Sequence, residues 1–129
     1  MLNIKLEANK IILIEAEKKG LEILKSTFEV VLQSILGGFH ARIGADRQEV
    51  QKFLLIIEEN LKNCQTQQGN NLVTKLPISV EYLRILTQIL NEACHGIRIL
   101  DFEHKIGASK DYLKLCLEQS YNLYINLEN

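Results

Sequence analysis

The chain has 129 residues, 47% apolar and 24% charged, with one Pro and seven Gly. That is the composition of one globular domain with a proper core, and it excludes a multidomain machine, a disordered or collagen-like chain and low-complexity sequence. Fifteen Lys and Arg against sixteen Asp and Glu leave a formal net charge of −1, so no bulk electrostatic attraction to nucleic acid or an anionic membrane is available.

The chain opens with Leu2, Ile4, Leu6 and Ala8 alternating with polar residues. Asn9 and Lys10 then turn it into Ile12, Ile14 and Ala16, which predicts a hairpin, although the turn lacks an Asn-Gly pair. Over residues 21–36 the apolar positions Leu21, Leu24, Phe28, Val31, Leu32 and Ile35 recur at three and four, a helix period that Gly37 and Gly38 stop. A short helix over Phe39 to Ile43 ends at Gly44, which accepts a left-handed turn. Asp46 and Glu49 form a capping pair ahead of a helix carrying Val50, Phe53, Leu54, Ile57 and Leu61.

The polar stretch 63–71 reads as a linker. Residues 72–76 suggest one more strand that Pro77 closes. A helix over 80–94 follows, with Ser79 as its N-cap, Leu83, Leu86, Leu90 and Ala93 on one face, and Gly96 at its end. Ile97 and Ile99 suggest a very short strand. Asp101 is placed to cap a short helix over Phe102 to Ile106, Gly107 turns the chain, and Ser109 caps a last helix presenting Leu113, Cys116, Leu117, Ser120, Tyr121 and Tyr124. A hairpin and a lone strand do not stand by themselves in water, so they are expected to pack on the helices or pair with another chain.

These elements repeat. Residues 39–47 and 102–110 both follow F-x-x-[RK]-I-G-A-[DS]-[RK]. Upstream, Glu22-Ile23-Leu24-Lys25 matches Glu81-Tyr82-Leu83-Arg84, and in both copies a Gly stands fifteen residues after the Glu, at Gly37 and Gly96. The second copy then carries four extra residues before its Phe. The expected fold is therefore mainly α with a small β element, an α+β single domain over 1–129. It holds two degenerate copies, 1–63 and 72–129, of helix, short helix, Gly turn and helix. Gly37, Gly44, Gly96 and Gly107 are its structural turns. The copies are expected to pack about a pseudo-twofold, with Phe39, Ile43, Val50 and Phe53 against Phe102, Ile106, Leu113 and Leu117.

The short helix, Gly turn and second helix together resemble the helix-turn-helix family of DNA-binding motifs, with Val50 and Leu113 six residues after Gly44 and Gly107. The family's small residue four before the Gly is replaced by His40 and Glu103. The resemblance implies that Arg47, Gln48 and Gln51, or Lys110 and Lys114, face the major groove, with Arg42 and Lys105 as further basic contacts. Asp46, Glu49 and Asp111 put carboxylates on the same surface. The strings Leu-Asn-Glu-Ala-Cys-His-Gly-Ile at 90–97 and Asp-Phe-Glu-His-Lys-Ile-Gly-Ala-Ser at 101–109 resemble small uncharacterised bacterial proteins, common in cyanobacteria. That resemblance implies a bacterial cytosolic protein with no assigned reaction.

Catalytic and metal chemistry find little support. Cys94 and His95 are adjacent, no C-x-x-C or H-x-x-x-H pair occurs, and Cys94 and Cys116 fall at apolar helical positions. There is no Gly-rich phosphate loop, no G-x-S-x-G and no H-E-x-x-H. Glu58-Glu59 and the pair Glu15 and Glu17 read as solvated faces. The chain is expected to be no enzyme, with no cofactor, metal or catalytic residue.

Three cysteines, Cys64, Cys94 and Cys116, and no basic-then-apolar leader in residues 1–7 point to reduced thiols and a cytoplasmic location. The apolar run 11–14 meets Glu15 and Glu17, so no membrane span is expected. The leading functional expectation is a non-enzymatic interaction or regulatory module that binds a protein partner, a second copy included. It uses spare strand edges and an exposed tail of Tyr121, Tyr124, Ile125 and Leu127. A DNA-binding regulator and an immunity or inhibitor protein that blocks a toxic enzyme are the alternatives.

Overall fold

In the computed structural model, which describes residues 1–66 and 72–128, the alternating apolar residues at the start form β1 (Leu2–Glu7) and β2 (Ile11–Ala16), paired antiparallel with Ile4 opposite Ile14. The connection passes through a single 3-10 turn in which Asn9 and Lys10 take φ of 70° and 62°. A third strand, β3 (Thr74–Ile78), joins the other side of β2, also antiparallel, so the sheet order is β1-β2-β3. Leu2, Ile4, Ile12, Ile14, Ala16 and Leu76 are buried on the inner face. The outer face is tied by Lys5 with Glu7 at 3.0 Å and with Glu15 at 2.9 Å.

Strand β3 starts two residues later than expected, and Pro77 lies inside it. Proline has no N–H to give the ladder, so its pairing with Leu13 is the kind that exchanges no hydrogen bonds, and its nitrogen points away from β2. β3 is an edge strand, where that is tolerated. The same alternation turns the N–H groups of Leu2, Ile4 and Leu6 outward from the opposite edge, and Ile4 N–H indeed donates to Gln119 Oε1 at 3.4 Å.

Among the described residues six α-helices complete the fold: α1 (Lys18–Ser34), α2 (Phe39–Ile43), α3 (Arg47–Thr66), α4 (Val80–Asn91), α5 (Phe102–Ile106) and α6 (Lys110–Glu128). The mainly helical α+β class is as expected. Ser79 and Ser109 accept from the N–H groups of Tyr82 and Tyr112 at 3.0 and 3.1 Å, capping α4 and α6. The linker expected over 63–71 is helical up to Thr66, and its remainder lies outside the described residues.

Asp101 does not cap α5 through its side chain. It sits at φ 55°, whereas a capping residue needs an extended backbone to aim its carboxylate at the helix N–H groups. Ile97 and Ile99 form no strand and pack on the core instead. β2 already has a neighbour on each side, and the Ile97 N–H closes a π-turn over Glu92–Gly96 onto the Glu92 carbonyl at 2.9 Å.

The order β2-α1-α2-α3 recurs as β3-α4-α5-α6. In each half the second long helix lies on the first, α3 on α1 and α6 on α4, while α6 also flanks β1. The short helices cross over: α2 packs on α4, and α5 on α1. Phe39, Ile43, Val50, Phe53, Ile106 and Leu113 are buried as expected, but Phe102 and Leu117 are only half-buried. The halves therefore meet chiefly through α1 and α4, and not by the expected direct packing of the α2–α3 residues on those of α5–α6. Phe53 sits at the centre, edge-on to Phe28 at 4.9 Å and stacked on Tyr82 at 4.4 Å.

Both short helices end on a left-handed glycine, Gly44 at φ 78° and Gly107 at φ 93°, whose N–H returns to the carbonyl of His40 or Glu103. Gly37 and Gly96 are not left-handed; the left-handed residues ahead of the short helices are Gly38 and Asp101. Gly96 has a different reason to lack a side chain, since a Cβ there would collide with the Glu92 carboxylate.

An alanine at φ near +80° costs about 1–2 kcal/mol, so Gly44→Ala and Gly107→Ala are each expected to lose that much in urea denaturation. Gly37→Ala, whose Cβ would meet nothing, is expected to stay within about 0.5 kcal/mol of wild type. Equal stabilities for all three would overturn the turn assignment.

Candidate functional site

The residues singled out for DNA contact lie on two similar units, α2-Gly44-α3 and α5-Gly107-α6, and the structure puts them to different uses. Arg47, at the start of α3, turns its guanidinium back to the end of α1. It donates to the carbonyl of Leu32 at 2.7 Å and to that of Ile35, and its carbon lies 4.5 Å over the Phe39 ring. The last carbonyls of a helix have no partner within it, and a cation there also meets the negative end of the helix dipole.

Arg42, on α2, makes a two-pronged pair with Glu92, Nε to Oε1 at 2.9 Å and Nη2 to Oε2 at 2.5 Å, and adds the Gly96 carbonyl at 3.1 Å. Glu92 is only 7% exposed, so this pairing and the absence of a Gly96 side chain are what let a carboxylate sit there. A third arginine, Arg84 on α4, donates to the carbonyls of Ile43 and Gly44 at 3.2 and 2.7 Å and is itself held by Glu81 at 2.5 Å. It caps α2. Sequence reasoning used Arg84 only to align the copies and missed Glu92 altogether, because Arg84 acts on backbone 40 residues away and Glu92 on a side chain 50 residues away.

The remaining basic and amide groups stay in water. Gln48, Gln51, Lys105, Lys110 and Lys114 are exposed, as are Glu49, Glu103 and Asp111 on the same two units. Asp46 lies 3.8 Å from His40. Lys110 and Lys114 are near enough to Cys94 to favour its thiolate, yet burial outweighs them and pushes that thiol up.

Compared with known protein families, curated proteins and solved structures, the chain matches none. Its surface has to be read from its own geometry. Among the described residues no group of three His, Cys, Asp or Glu is placed to hold a metal ion, and no helix is long and apolar enough to cross a membrane. Cys94 and Cys116 are buried, and burial pushes both thiols up. Beside Cys116 the Tyr112 phenol is pushed up to about 12, chiefly by burial. Cys64 is half-buried, its sulfur 3.0 Å from Thr74 Oγ1.

Neither sheet edge is the open template expected from sequence. Gln119 covers the edge of β1, and β3 presents Lys75 and Pro77, residues that discourage strand addition. The tail is also more packed than expected: Tyr121 is exposed, but Tyr124, Ile125 and Leu127 are half-buried. Among the described residues the surface also offers open hollows, one of them on each second long helix. The first, about 290 Å³, is lined by Leu55, Glu58, Glu59, Leu61 and Lys62 of α3 with Lys25 of α1. The second, about 310 Å³, is lined by Leu115, Glu118, Gln119 and Asn122 of α6. Leu55 and Leu115 are 57% and 62% exposed.

If Arg47 is a helix cap, Arg47→Ala is expected to lose about 1–3 kcal/mol for its charged hydrogen bonds, and Lys110→Ala to stay within about 0.5 kcal/mol, both read from urea denaturation. In the native protein Cys64 alone is expected to react with Ellman's reagent, Cys94 and Cys116 following only in denaturant. Prompt modification of two thiols would contradict the burial described.

Proposed function

We propose that the chain is a non-enzymatic protein-interaction module that pairs with a second copy of itself. The observation that carries this reading is the leucine left more than half exposed beside an open hollow on each second long helix, Leu55 on α3 and Leu115 on α6. Apolar side chains in shallow hollows rimmed by Glu, Lys and amides suit a protein partner, which buries the leucine and leaves the charges at the rim. The same reading takes the two halves as copies of one unit. Its support is their common element order and the reciprocal crossing of α2 onto α4 and α5 onto α1.

The DNA-binding alternative keeps Gln48, Gln51, Lys105, Lys110 and Lys114 in solvent. It is weakened at Arg42 and Arg47, which already bond to Glu92 and to the Leu32 and Ile35 carbonyls. Light scattering on a size-exclusion column over a wide concentration range tests the proposal: the mass is expected to rise from one copy towards two. A single copy throughout would overturn it. Filter binding at low salt is expected to retain no duplex DNA. Retention that falls with salt and is lost in Lys110→Ala would favour the helix-turn-helix reading instead.

A further inference from the structure

We infer that α3 is the surface through which two copies pair, antiparallel, about their Leu55 side chains. The inference rests on the self-association proposed above and names its site. One side of α3 is in the core, with Val50, Phe53, Ile57 and Leu61 buried. On the opposite side Gln48, Lys52, Leu55, Glu59 and Lys62, spaced at four, three, four and three, form one exposed stripe. Neither Lys52 nor Glu59 takes part in an ion pair among the described residues.

The stripe is complementary to itself in one orientation only. A twofold axis across α3 between positions 55 and 56 sets Lys52 of each copy against Glu59 of the other and brings the two leucines together. Each Leu55 then lies against its partner's hollow, lined by Leu55, Glu58, Glu59 and Lys62. Lys62 falls towards Glu49 of the other copy. A parallel alignment would set Lys52 against Lys52 and Glu59 against Glu59. A closed twofold contact in which residue i meets j and j meets i is the commonest way for a chain to pair with itself.

The hollow on α6 fails the same test. There the stripe is Asp111, Leu115, Glu118 and Asn122, and an antiparallel copy would bring Asp111 against Glu118. Charge therefore picks α3 over α6. Because the pairs are at the rim, the dimer dissociates on dilution and weakens as salt rises.

The test is a charge exchange read by sedimentation equilibrium. Lys52→Glu and Glu59→Lys each put two repulsive contacts into the dimer, and each alone is expected to weaken it by about tenfold or more. An equimolar mixture of the two variants restores both attractions, so it is expected to dimerise as well as wild type, as is the chain carrying both changes. Leu115→Asp is expected to leave the dimer unchanged. A wild-type dimer that neither variant weakens would overturn the α3 assignment while leaving self-association in place. So would a mixture no stronger than its components. A wild-type chain that stays a single copy at every concentration would overturn both.

Discussion

The ends of the helices, more than their faces, determine how this fold is joined. A helix of five residues such as α2 makes almost no internal hydrogen bonds: its first four N–H groups and last four carbonyls all need outside partners. It persists because its C-terminus is closed from three directions. Gly44 turns its own N–H back onto the His40 carbonyl, and Arg84 reaches across from α4 to the carbonyls of Ile43 and Gly44. Arg42 leaves the same helix to grip Glu92 and the end of the π-turn. With those ends secured, α2 can carry Phe39 and Ile43 into the core against the other half. Without them there is no reason for it to be a helix.

The same logic accounts for the basic residues that recur at like positions in the two halves. Arg42 and Lys105, and Arg47 and Lys110, keep their charge while the residues around them change, which invites a reading in terms of phosphate. In the first half the charge is spent on backbone carbonyls and on one buried carboxylate. In the second, lysines occupy the matching places and remain in solvent. A guanidinium has a planar fork of donors that can serve two acceptors in fixed directions, and an ammonium is a point charge on a flexible stem. The half with arginines is therefore the half whose turns are locked by side chains. Its counterpart turns at Gly107, whose N–H returns to the Glu103 carbonyl.

Periodicity and capping residues made most of the elements legible. The hairpin, both five-residue helices to the residue, and the Ser79 and Ser109 caps follow from patterns confined to a few neighbouring positions. The misses share the opposite property. Pro77 could belong to a strand only because β3 is at an edge, and Gly96 is needed because Glu92 folds onto it. Asp101 fails as a cap because its backbone is left-handed. For the candidate site the sequence supplied the residues but not their partners: Arg42 and Arg47 bond to groups of the fold itself, while Leu55 and Leu115, left exposed at the surface, look like any leucine on a helix. Exposure is a property of the assembled fold, and periodicity alone does not reveal which apolar residue stays outside.

The two halves also differ in how their long helices meet, and this bears on which surface can serve a partner. Between α4 and α6 the contact includes a buried polar pair, the hydroxyls of Thr87 and Ser120, which bond to each other. Between α1 and α3 the contact is aromatic, with Phe28 edge-on to Phe53 and Phe53 stacked on Tyr82 of α4. Those rings fix α3 against both first helices at once, and Arg47 pins its first turn to the end of α1. A surface held in this way loses little freedom when it is covered, so a modest rim of charge and one leucine can suffice where a mobile segment would need more. The helix proposed to offer the self-complementary stripe is thus also one that its aromatic contacts hold against two neighbours.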